Sequence, residues 1–294
     1  MFRLKIAVLS FLAFCQVVQA DSQYEQIKEW GEIAVALKGD YLPFGYHNVE
    51  GDLIGLEVDL AKDIAQRLNV RLRKVQATSS NRLDFLQRRR VDLVLATMTD
   101  TPERRKLVTA LEPRYYSSGV TLLLPKKSPI KSWTQLKKKK VCVLERASFN
   151  DDLATKYGFQ AIQYESTKTG IIALKDGKCV AWMFEEASIL AEISTNLSHD
   201  RHFPFHAPLQ PILVQPWALA IRNEDNDHQL KKALADVLAD WHRTGSLIAM
   251  HKRWSMPVTG YLTQMNQIWN KKTAAGEYVC QVTDAGAVTP DQCK

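Results

Sequence analysis

The chain of 294 residues is 46% hydrophobic and 24% charged, with a formal net charge of +7. That balance excludes a disordered polyelectrolyte and, at this length, leaves room for two packed domains. The basic excess is modest: Arg3 and Lys5 lie in a leader, and without them the net charge is +5. The one lysine run, Lys137 to Lys140, lacks interleaved aromatics and reads as a solvated turn, so no nucleic-acid partner is expected.

Residues 1–20 read as a secretory signal peptide: basic Arg3 and Lys5, an apolar run over 6–14, and Val18-Gln19-Ala20 as the cleavage site. The apolar run is too short to span a bilayer, and an uncleaved anchor is the alternative. Cys15 sits in a poor lipobox, with bulky Phe14 where a small residue belongs, so cleavage after Ala20 is preferred. The mature chain then keeps Cys142, Cys179, Cys280 and Cys293. An even count in an exported protein suggests disulfides. The expected pairs are Cys280 with Cys293 and Cys142 with Cys179, although spacing does not fix connectivity and buried thiols remain open for the second pair.

Strand and helix patterns alternate along the chain. Residues 33–37 read as a strand, 39–52 as turns, and 57–68 as a helix with Leu60, Ala61, Ile64, Ala65 and Leu68 on one stripe. A strand at 70–75, a helix at 81–89 and a strand at 91–96 follow. After a break at 115–119 come strands at 120–124, 141–144, 161–164 and 180–184, with helices at 151–157 and 169–176 between them. Residues 213–221 turn apolar again, then a helix is expected over 227–244 and a short one to about 254. This alternation predicts parallel sheets with helices on both faces. The tail is polar.

The segment Val91 to Arg104, VDLVLATMTDTPER, is the most informative. It brings the hydroxyls of Thr97 and Thr99 to the carboxyl end of a strand. Thr101 is placed to cap a helix that opens on Pro102, with Arg104 in the first turn. Hydroxyls, helix N–H groups and a guanidinium fork so arranged suit a carboxylate. An ordinary strand–turn–helix with a surface arginine is the plainer reading.

Gly55-Leu56-Glu57-Val58-Asp59-Leu60, continuing through Ile64-Ala65, resembles the signature of periplasmic solute-binding proteins for polar amino acids, which serve ABC importers. Tyr41-Leu42-Pro43-Phe44, Thr97 to Arg104, and Tyr115-Tyr116-Ser117-Ser118-Gly119 agree in order, so the resemblance covers roughly residues 27–256. It implies an α/β, two-lobed periplasmic binding protein fold of type II, two doubly wound domains joined by a double-strand hinge. The implied division is lobe one at 21–118 and 213–256, lobe two at 119–212, and a tail at 257–294.

The resemblance also implies roles. Arg104 matches the arginine that grips the ligand's α-carboxylate, with Thr97 and Thr99 as helpers. Tyr41 matches an aromatic over the side chain, Ser148 a closing hydroxyl, and Glu185 the acid for the α-ammonium. Two departures stand out. Arg146-Ala147-Ser148 replaces a glycine followed by two hydroxyl residues, and Glu185 replaces an aspartate. Thr78-Ser79-Ser80-Asn81-Arg82 resembles the loop of glutamate- and aspartate-binding members, where Ser79 and Arg82 match the residues meeting the side-chain carboxylate. Lys38 stands where binders of basic amino acids carry an acid. Three cations in one cleft suit an acidic amino acid. The alternative is that Lys38 and Arg82 pair with Asp40 and Asp84.

The implied partners are an amino-acid ligand and a transporter permease, for a monomer working in the periplasm without a cofactor. Gly39 to Phe44 also resembles exported cyclohexadienyl dehydratases, but their catalytic glutamate falls on Ser188, which cannot protonate a leaving hydroxyl as a carboxylic acid can. A binding module reporting to a separate receptor is the third reading. His199, His202 and His206 have helical spacing, but Pro204 interrupts them, so no metal site is expected.

Overall fold

The computed structural model describes residues 22–145, 147, 149–199, 202–223 and 228–294, with the side chains of 196–199 outside the description. The leader, Arg146 and Ser148 therefore lie outside the described residues.

The strand Glu32–Lys38 organises the first sheet. It runs parallel to Arg71–Ala77 on one side and to Leu93–Val94 on the other. Ala220–Arg222 and Val108–Ala110 complete the order, both antiparallel to their neighbours. Alternate residues of the organising strand serve two cores. Ile33, Val35 and Leu37 pack with Leu60, Ala61 and Ile64 of the helix Leu56–Arg67. Ala34 and Ala36 pack with Leu86 and Val91 on the opposite face. Burial on both faces is why this strand reads as a continuous apolar run.

The second sheet repeats the plan. Its order is Gln160–Tyr164, Lys140–Leu144, Trp182–Glu185, Tyr116–Pro125 and Phe205–His206, with Ile212–Trp217 also on Tyr116–Pro125. Val141, Val143 and Met183 face one core, whereas Cys142, Trp182 and Phe184 face the other. The expectation of parallel sheets needs correction here. The three strands joined by helical crossovers are parallel, but Tyr116–Pro125 pairs antiparallel with each of its neighbours. That geometry follows from its role: the chain enters the second sheet along Tyr116–Pro125 and returns along Ile212–Trp217, with Trp217 opposite Tyr116 and Gln215 opposite Ser118.

Two boundaries also differ. The strand expected at 91–96 is confined to Leu93–Val94, and the backbone turns left-handed further on, at Thr97 (φ 49°). A helix not anticipated, Glu186–His199, directly follows Glu185. Both expected disulfides are present, with Cα–Cα distances of 5.7 Å for Cys142–Cys179 and 5.8 Å for Cys280–Cys293. Among the described residues no helix is long and apolar enough to cross a membrane.

The polar tail folds. Thr259 caps a helix, Gly260–Trp269, followed by the short hairpin of Gln281–Val282 and Val288–Thr289. Trp269, Met265, Val288 and the Cys280–Cys293 bridge close around Ala239 of the helix His228–Thr244. The tail thus shares a core with the first lobe.

Candidate functional site

A cavity of about 660 Å³ opens between the two lobes. Its walls are the carboxyl ends of the parallel strands, where such sheets place their ligand crevices. Lys38 ends Glu32–Lys38, Ser79 and Arg82 follow Arg71–Ala77, and Thr97, Thr99 and Arg104 follow Leu93–Val94. From the second lobe come Glu145 after Lys140–Leu144, Glu185 at the end of Trp182–Glu185, and Ser188 and Glu192 from the helix behind it. Eight of the nine residues singled out in the sequence therefore line one cavity: Lys38, Tyr41, Ser79, Arg82, Thr97, Thr99, Arg104 and Glu185. The ninth, Ser148, lies outside the described residues, between Ala147 and Phe149, which both line the cavity.

The Thr101 cap forms as expected, accepting the Arg104 N–H at 3.3 Å ahead of the four-residue helix Pro102–Arg105. Arg104 is half-buried, and its Nη1 donates to the Thr99 carbonyl at 2.6 Å. Burial holds its pKa below the usual guanidinium value. The loop is fixed to the return strand, since the Asp100 N–H donates to the Pro216 carbonyl at 2.8 Å and Asp100 pairs with Arg105 and Arg114.

Lys38 does pair with Asp40, at 2.9 Å, but its Nζ also donates to Ser79 Oγ at 3.2 Å. Arg82 does not pair with Asp84, which bonds Arg88 at 2.6 Å. Arg82 is only 3% exposed, donates through Nη1 to the Ala96 carbonyl, and leaves Nε without a partner. Desolvation and the neighbouring Arg104 charge push its pKa down to about 10. A buried guanidinium with an unmade bond is poised for an incoming anion.

Across the cleft the Tyr41 hydroxyl donates to Glu185 Oε2. Burial raises the Glu185 pKa, opposed by that hydrogen bond and by the charges of Arg82 and Lys38. Tyr41 is held by a tilted ring contact with Phe44 and an edge contact with Trp217.

The sequence reading missed the role of Glu57. It is fully buried at the start of Leu56–Arg67, where its Oε1 accepts the Thr97 N–H at 2.7 Å and the Tyr115 hydroxyl. It thereby pins the left-handed residue that presents the two threonines. Oε2 is buried without a partner. Burial raises the Glu57 pKa to about 7, against the hydrogen bonds from Tyr115 and Thr97 and the charges of Arg82 and Lys38. A raised folded-state pKa contributes stability below the unfolded value, near 4.5, that is lost as pH rises to about 7. Glu57→Gln should abolish that contribution, worth up to about 3 kcal/mol. Urea melts at pH 5 and pH 8 check it: wild type should lose stability relative to the variant, and parallel pH profiles would contradict the assignment.

Two α/β lobes linked by paired strands, with a polar cavity between them, define a class of hinged ligand traps. The chain belongs to the bacterial extracellular solute-binding proteins, family 3, whose sequence profile matches residues 33–257. The L-cystine-binding protein TcyJ of Escherichia coli (strain K12) is 27% identical over 232 residues, covering 78% of this chain and 84% of that protein. The ABC transporter glutamine-binding protein GlnH of Bacillus subtilis (strain 168) is 27% identical over 234 residues, with 78% and 82% covered. Among solved structures, an ancestral cationic amino acid solute-binding protein, AncCDT-1, superimposes with a TM-score of 0.68 at 25% identity, covering 79% of this chain and 99% of that one. The match ends at residue 257, so the folded tail lies beyond the family's common core.

Proposed function

We propose that the protein is the solute-binding component of an ABC importer, working as a periplasmic monomer with its leader cleaved after Ala20, and that it traps a polar amino acid with an acidic side chain. The observation that carries this reading is one wall of the cavity, where Arg104, Arg82 and Lys38 stand beside Thr97, Thr99 and Ser79. Arg104 takes the α-carboxylate in a bidentate grip, which lysine would reproduce poorly. Arg82, Lys38 and Ser79 take the side-chain carboxylate, and Tyr41 lies alongside. Glu185 receives the α-ammonium from the other lobe, and Ser148 closes on the carboxylate.

Binding favours the closed form through contacts made only in that form, and closure is what the permease reads. The named relatives that bind cystine and glutamine fit a polar amino-acid ligand. Ser188 in place of the dehydratase glutamate speaks against the enzyme reading.

Thermal-shift screening of the mature protein against amino acids and small dicarboxylates tests the reading, followed by calorimetry. Ligand at about 100 times its Kd should add about 2.7 kcal/mol of stability. Arg82→Ala should weaken glutamate and aspartate by about 30-fold or more, as expected when one partner of a desolvated charge pair is truncated. Unchanged affinity would overturn the side-chain assignment, and a response confined to neutral amino acids would overturn the acidic specificity.

A further inference from the structure

The end of the second lobe that faces away from the cavity is a pole of lysines. Its three parallel strands begin there and the antiparallel Tyr116–Pro125 ends there, so their connections meet at one end of the sheet. Lys126 and Lys127 follow Tyr116–Pro125, and Lys131 precedes the turn Trp133–Leu136. The run Lys137 to Lys140 leads into Lys140–Leu144. Lys156 lies in the last turn of the helix Asn150–Tyr157, while Lys175 and Lys178 flank the turn ahead of Trp182–Glu185. All ten lysines are exposed, and none forms an ion pair among the described residues. Asp176 is the one acid in these connections, which span 126–140, 156–159 and 175–181. They hold a formal +9 in a mature chain of +5, so everything else together holds −4. The acids of this lobe gather at the other ends of the same strands, where Glu145 and Glu185 line the cavity. The lobe is therefore strongly dipolar along its strands.

The backbone beneath the lysines is fixed. The Lys138 N–H donates to the Gly158 carbonyl at 2.7 Å, and the Val180 N–H to the Lys140 carbonyl at 2.9 Å. The Cys142–Cys179 bridge ties the turn bearing Lys178 to the strand that Lys140 opens. Like charges gathered this way repel one another, a cost that a polyanionic surface relieves. Every cation in these connections is lysine, a hydrated point charge without the arginine fork that grips individual phosphates. Trp133 and Tyr157 pack against each other at 5.3 Å and do not form a platform for stacking bases. Such a surface suits a dense, fluid layer of phosphate groups.

We propose that this pole docks on the surface of an anionic phospholipid bilayer, holding the protein beside the membrane with its cavity at the far end of the lobe. The acidic end is then turned away from the anionic surface, and ligand entry stays open while the pole is held. Docking of this kind is independent of which solute the cleft takes, and rests on export bringing the chain to a membrane face.

Co-sedimentation of the mature protein with vesicles tests this, one set of phosphatidylcholine alone and one with about 30% phosphatidylglycerol. Partitioning onto the anionic set should exceed that onto the neutral set by about ten-fold or more, and about 0.5 M salt should erase the difference. The triple variant Lys126→Gln, Lys127→Gln, Lys139→Gln should lose about ten-fold or more of that partitioning. A control with the same change in charge away from the pole, Lys62→Gln, Lys252→Gln, Lys271→Gln, should stay within about two-fold of wild type. Equal losses in the two variants would make net charge the cause and overturn the proposal. Equal partitioning onto both vesicle sets would overturn it too, as would retention on heparin without any on anionic vesicles. The wild-type comparison of the two vesicle sets stands without either variant. Amino-acid affinity should be the same in all three proteins, so failure at the membrane would leave the ligand reading untouched.

Discussion

Arg104→Ala should weaken ligand binding by about two to three orders of magnitude while leaving the melting temperature of the empty protein close to wild type. The two halves of this expectation have different origins. Arg104 sits in a four-residue helix, half-buried, and its hydrogen bond through Nη1 is to the Thr99 carbonyl of its own loop. The loop is separately anchored by Asp100, through Arg105, Arg114 and the Pro216 carbonyl. Removing the guanidinium therefore costs the fold little. On the proposed reading, however, it strands a desolvated carboxylate in the closed complex, a loss of about 2–5 kcal/mol. Arg104→Lys keeps the charge but loses the fork, and an intermediate loss of about ten-fold is expected. Calorimetry with the best ligand from the screen measures all three proteins. A Kd within about ten-fold of wild type for the alanine variant would remove Arg104 from the binding site.

Trp269→Ala should lower the unfolding free energy by about 3–5 kcal/mol, the range for emptying a buried tryptophan site. The ring is completely buried between Met265, Val288 and the Cys280–Cys293 bridge, with its Nε1 donating to the Cys293 carbonyl at 3.2 Å. Arg243 lies 5.1 Å above the ring and 4.5 Å above Tyr278, while its Nη2 donates to the Cys280 carbonyl at 2.5 Å. Because Ala239 and Arg243 belong to the helix His228–Thr244, this cluster is continuous with the first lobe. Tyr261 extends the link by donating to the Arg114 carbonyl at 2.8 Å, just before the strand that leaves for the second sheet. Denaturation of the variant should thus show one transition, shifted as a whole. An unchanged main transition, preceded by a small separate one, would show instead that the tail is an independent attachment.

Much of this architecture is written in local patterns. The continuous apolar run at Ile33 to Leu37 marks a strand buried on both faces, and Thr101-Pro102 marks a helix start; both appear as expected. Other signals were present but unread. Ser22 and Glu25 have capping-box spacing and open the helix Gln23–Trp30. Leu262, Met265 and Trp269 recur at helical spacing within a stretch whose composition is otherwise polar, and all three are buried. The contact between Glu57 and Thr97 is of another kind, since it joins positions 40 residues apart through a loop conformation that no periodicity records. The antiparallel course of Tyr116–Pro125 is equally silent, because strand direction depends on where the chain returns.

If Glu185 receives the ligand's ammonium as proposed, its hydrogen bond with Tyr41 makes ligand entry an exchange reaction. On the proposed reading the phenol occupies the carboxylate that the ligand's ammonium reaches, so capture replaces one internal partner with an external one. A ligand with an ammonium returns to Glu185 more than the phenol supplied. A plain dicarboxylate that displaced Tyr41 would leave that carboxylate facing anions, with nothing to compensate it. On that reading the contact acts as a chemical filter: it disfavours plain organic acids, and the expected occupant is zwitterionic at the end that meets Glu185.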